Sequence, residues 1–193
     1  MNKENYNELS KVLIQGIYLQ FLDIDVTYEQ ANEIIMIVCD TIKDIDMGEV
    51  KKTLANQSQD EELLETQDSK VAEKIKDYSK ARSDAMVKLQ SIEIAIDLIT
   101  AIVEIVASMY ESGRKKLPSQ LQETITQFLP RAFESLDHDF ASRILIAWNN
   151  LLWLYLTLEV NFFDLPNEPH KKLWEFMNSL PENNIDVKTG KLS

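Results

Sequence analysis

Glu93, Asp97, Thr100, Glu104 and Glu111 fall within about 60° of one line when their segment is wound at 100° per residue. Carboxylates repeating along an otherwise apolar helix are the first half of a helix-bundle di-metal site. That chemistry also requires Glu-x-x-His pairs on the facing helices, and the sequence contains none. A second polar line, Asp139, Arg143, Asn150, Thr157 and Asn161, runs along a later apolar segment, with Asn149 and Glu159 off it. Two such seams face each other when Arg143 pairs with a carboxylate such as Glu104. A pair of that kind fixes helix register at little net gain in stability. Glu93, Asp97, Glu104, Arg143 and Asn150 are therefore read as a polar seam, with a small polar ligand between the helices as its most specific use.

The remaining reactive residue types are explained by folding. His138 stands between Asp137 and Asp139, but neighbours in a helix do not face one another, and Asp is the expected N-cap. Cys39 lies among Ile34, Ile35, Ile37, Val38 and Ile42 and behaves as a small buried hydrophobe. Gly190-Lys-Leu-Ser193 lacks the upstream glycine of a phosphate loop. The expectation is no catalytic residue, no metal and no cofactor.

The elements that position these residues are helices. The chain of 193 residues has four Gly and five Pro, every Pro at or beyond Pro118, and no alternating strand pattern. One stretch, Ser69 to Ser112, organises the rest. Its apolar positions step by threes and fours through Val71, Ile75, Tyr78, Ala85, Leu89, Ile92, Ile96, Ile99, Val103, Val106 and Tyr110, with Arg82 as the intruder. That is a heptad signature, closed by Gly113 as a left-handed cap. Such a helix is about 65 Å long, whereas a compact chain of this size has a diameter of about 40 Å. It therefore kinks near Arg82–Asp84, or projects at its polar N-terminal half, with 49–84 as a helical arm, or is covered by partner chains. Val71, Ile75, Tyr78 and Arg82 are the first place to look for a partner or a second copy.

Elsewhere the sequence predicts a helix from Tyr6 to Leu22 with a broad apolar face (Leu9, Val12, Leu13, Ile17, Leu19, Phe21) and Gly16 at a close helix contact. Thr27-Tyr-Glu-Gln30 is a capping box that opens the next helix, over 28–44. Asp46-Met-Gly48 breaks the pattern before a short helix from Glu49 to Ala55, and 56–69 is either loop or a solvated arm opened by Ser58 and Glu61. Ser119 and Gln122 suggest a second capping box. Pro130 ends or kinks that helix, Asp137 caps the next, over 140–163, and Asn167 caps the last, which Pro181 stops. The fold class is all-α: a single-domain bundle of six or seven helices over 1–181, with a disordered polar tail at 182–193.

The formal charge is −12, and it is unevenly spread. Residues 1–68 hold 5 Lys/Arg against 15 Asp/Glu, whereas residues 69–193 hold 15 against 17. Such a surface repels nucleic acid and complements a basic protein. The sequence opens without a signal-like apolar segment, and one cysteine allows no internal disulfide, so a cytoplasmic setting is expected. Ile144–Phe163 is interrupted by Asn149, Asn150, Thr157, Glu159 and Asn161, which argues against a membrane span. These observations favour a non-catalytic interaction protein (an adaptor, inhibitor or assembly subunit) with a protein partner, a basic one through the acidic N-terminal third, or self-association through the long helix. Two alternatives stand beside it: a membrane-active helical protein released by a trigger, and an enzyme or ligand binder using the acidic seam.

Overall fold

A computed structural model describes residues 7–22, 25–55, 69–114 and 116–181, with the side chains of 69–72 excepted. The proposed arm or loop at 56–68, its Ser58–Glu61 capping box, the 182–193 tail and the side chain of Val71 lie outside the described residues. Within the described residues the protein is all-α: seven helices and no strand. We label them α1 (Glu8–Leu22), α2 (Tyr28–Asp44), α3 (Met47–Ala55), α4 (Ser69–Glu111), α5 (119–134), α6 (Ala141–Thr157) and α7 (Pro169–Ser179).

The central helix α4 packs against α1, α2, α3 and α6. It passes Arg82–Asp84 without a break. Ala85 is its first buried described residue, and everything from 73 to 84 is exposed or half-buried. The expected kink is therefore absent, and the N-terminal half of the helix lies outside the core. The C-terminal half supplies Ile92, Ile96, Ile99, Ile102, Val103 and Val106 to the core. Each such side chain, fully buried, contributes about 1.5–3 kcal/mol. The helix ends as expected: Gly113 has φ 107°, its N–H donates to the Tyr110 carbonyl, and Arg114 N–H donates to that of Met109. That is a Schellman motif.

The Thr27 capping box is present in both directions, with Gln30 N–H donating to Thr27 Oγ1 and Thr27 N–H donating to Gln30 Oε1. Asp46 is less a break than a cap: its carboxylate accepts from Glu49 N–H at 3.1 Å, and α3 begins already at Met47. Cys39 is buried, and burial pushes its thiol up to about 12.

Four sequence expectations need correction. Ser119 is not a cap, because Pro118 occupies that position with no side-chain bond. Pro130 neither ends nor breaks α5. The helix widens through a π segment, Thr124–Phe128, and Leu129 N–H donates to the Thr124 carbonyl five residues back. Pro130 has no N–H to give the Ile125 carbonyl, and the Tyr155 hydroxyl donates to that carbonyl at 2.6 Å instead. Finally, α6 stops at Thr157 rather than running to 163. Glu159 adopts φ 56°, and Glu159 and Val160 N–H donate to the Leu156 and Tyr155 carbonyls in a second Schellman motif, here without glycine. A short 3-10 turn, Phe162–Asp164, follows. At α7 the capping position belongs to Glu168, with Asn167 and Glu168 both left-handed, rather than to Asn167.

Candidate functional site

The two polar seams meet. Along the α4–α6 boundary the Arg143 guanidinium pairs with Asp97. Asn150 Nδ2 donates to the Thr100 carbonyl at 3.4 Å, and Thr157 Oγ1, which donates to the Trp153 carbonyl at 3.0 Å, lies 3.5 Å from Glu111 Oε1. Asp97 is thus the partner of Arg143, where the sequence suggested Glu104. It raises the Arg143 pKa through that hydrogen bond, and Glu93 adds a weaker charge effect. The meeting line lies at the protein surface, since Asp97 and Glu104 are exposed and Glu93, Arg143 and Asn150 half-buried. Among the described residues no group of three or more His, Cys, Asp or Glu is placed to hold a metal ion.

Beyond Asn150 the seam opens into a hollow of about 320 Å³ lined by Glu104, Ala107, Ser108, Glu111, Asn150 and Trp153. Trp153 is 60% exposed and Leu156, three residues on along α6, is 72% exposed. Among the described residues Glu104 and Glu111 form no ion pair. The hollow therefore combines carboxylates with an aromatic wall. It suits a cationic, partly apolar side chain, through charge and cation–π attraction.

A second hollow, about 460 Å³, lies between α5, α6 and α7. His138 sits at its rim, stacked on Phe176 with ring centroids 5.1 Å apart, and its Nε2 shares a 2.7 Å hydrogen bond with Ser179 Oγ. Lys172 pairs with Glu134 at 2.5 Å across the same rim. Asp137 holds the N-cap position of the following 3-10 turn, as expected, but its carboxylate makes no cap hydrogen bond there. It pairs with Lys51 of α3 at 2.5 Å, and Asp139 lies 3.1 Å from the same ammonium.

The stretch singled out on α4 lies apart from both hollows. Ile75 is exposed, Tyr78 and Arg82 are half-buried, and the Tyr78 hydroxyl has no hydrogen-bond partner among the described residues. The face that the sequence reading missed is on α1. Val12 and Leu19 are buried as expected, but Leu13, Ile17 and Phe21 point outward together with Ile14 and Tyr18. Apolar residues surround this helix on every side, so periodicity could not say which half faces the core.

No protein-family model and no solved structure matches the chain. Over 191 residues it is 45% identical to Synchronized import protein 1 of Saccharomyces cerevisiae, an alignment that covers 96% of this chain and 30% of that relative. The chain thus spans about a third of the relative's length.

Proposed function

We propose that this chain is a non-catalytic helical protein-interaction module that binds a segment with apolar and basic side chains, in a process of the kind the relative's name gives, import. The observation that carries the reading is the α4–α6 surface, where exposed Trp153 lines a hollow with Glu104 and Glu111, and exposed Leu156 follows it three residues on along α6. Large exposed apolar side chains next to charge are characteristic of binding faces. The acid excess of residues 1–68 serves encounter: it steers a basic partner, and burial at the α4–α6 face then holds it. A cytoplasmic setting belongs to the same proposal.

The other two readings have less behind them. No helix among the described residues is long and apolar enough to cross a membrane. The seam offers one ion pair and side-chain hydrogen bonds, and among the described residues it holds no nucleophile with an adjacent base. The test is affinity capture from native lysate at low and high salt, comparing the natural chain with a Trp153→Ala/Leu156→Ala double variant. A partner recovered by the natural chain, weakened by salt and lost in the variant is expected. Undiminished recovery by the variant would contradict the assignment of this face.

A further inference from the structure

The outer face of α1 has a different character from the α4–α6 surface. Residues 12–22 contain no charged side chain. Ile14, Ile17, Tyr18 and Phe21 stand at i, i+3, i+4 and i+7, with Leu13 alongside, and all are exposed; Ile17 is 62% and Phe21 90% open. The inner face is fixed by Val12, Leu19 and the passage of Gly16 over α4, where a Cβ at Gly16 would lie 3.5 Å from Leu98 Cδ2. This face has no carboxylate to recognise a basic partner. A lipid surface of anionic headgroups would favour Lys or Arg along its flanks, and Lys11 is the one cation on α1.

We infer that this face is a self-association surface, on which a second copy of the chain lays its own α1 antiparallel. The stripe is its own complement: reversing α1 about the midpoint between Ile17 and Tyr18 sets Ile14 against Phe21 and Ile17 against Tyr18. A two-fold interface requires that property. The reversal also brings Lys11 near the far end of the other α1, where Asp25 is exposed. At about 200 Å² for a fully open large side chain, the five residues offer about 550 Å² per copy. The total of about 1,100 Å² clears the roughly 1,000 Å² a biological interface needs but falls short of the stable, specific range that begins near 1,200 Å², so the dimer is weak. Each copy carries −12, and screening that repulsion strengthens the dimer. A steered basic partner responds to salt in the opposite sense.

The test is sedimentation equilibrium of the full chain from roughly 10 to 500 μM, at low salt and at roughly 0.5 M salt. The expected result is a mass rising from 22.3 kDa toward twice that value, more readily at high salt. Ile17→Asp and, separately, Phe21→Asp should each weaken association at least about tenfold, with unchanged helical circular dichroism. Trp153→Ala should leave association intact, which separates this inference from the partner reading above. A chain that stays monomeric at every concentration and salt overturns the inference, whether α1 proves to bind liposomes or another protein. Loss of dimer in Trp153→Ala with none in Ile17→Asp overturns it too.

Discussion

Glu159 occupies a backbone position that most helices reserve for glycine. Its φ of 56° closes α6, and an L side chain in that conformation costs about 1 kcal/mol relative to glycine. Glu159→Gly should therefore raise the midpoint of thermal unfolding, by an amount corresponding to roughly 0.5–1 kcal/mol. A lowered midpoint would mean that the carboxylate holds something the bond pattern does not reveal. The sequence signals this position poorly: Glu159 reads as one more polar interruption in an apolar run, whereas Gly113, the same motif on α4, is legible at once. Arg143 was legible as half of an ion pair but not in its choice of Asp97. Asp97 and Glu104 are seven residues apart on one face of α4, and only the relative offset of two packed helices decides between them.

At the scale of elements, the long helix, its two halves and its cap follow from heptad spacing and from the shift in composition at Ala85. The course of α5 does not. Pro130 reads as a stop, yet a π segment and one hydroxyl from another helix let α5 continue. Tyr155 is buried, and burial pushes its hydroxyl pKa up, so the group remains a neutral donor to the Ile125 carbonyl. Tyr155→Phe deletes one oxygen and leaves that carbonyl unpaired in the interior, which should cost about 1–3 kcal/mol in a denaturant titration. A loss below a few tenths would show that the widened turn satisfies itself. The outward half of α1 illustrates the opposite failure. Its apolar residues lie all round the helix, so pattern alone assigned Leu13, Ile17 and Phe21 to a core that the structure places on Val12 and Leu19.

Among the described residues of the whole molecule, Lys51 and Glu49 tie the acidic first third to later helices by charge, and the Lys51 contact gives a pH signature. Lys51 of α3 holds the Asp137 carboxyl below its ordinary value, chiefly through their hydrogen bond. The lowered folded-state value means that the contribution is present above the unfolded carboxylate pKa and fades as the pH falls through the folded one. Lys51→Met should therefore reduce stability at neutral pH by about 0.5 kcal/mol, the scale of a partly exposed pair. The difference from the natural chain should vanish toward pH 2. A difference that persists there would assign the loss to packing of the lysine stem instead.

The central claim is that the protein meets a partner through the face formed by α4 and α6. Its most direct measurement is a photo-crosslinking amino acid placed at Leu156, 72% exposed beside Trp153, with the same group at exposed Lys52 of α3 as the control. A covalent adduct with one protein partner is expected from position 156, absent from position 52 and suppressed by Glu104→Gln. Equal labelling from both positions, or none from 156 under conditions where the natural chain retains a partner, would contradict it.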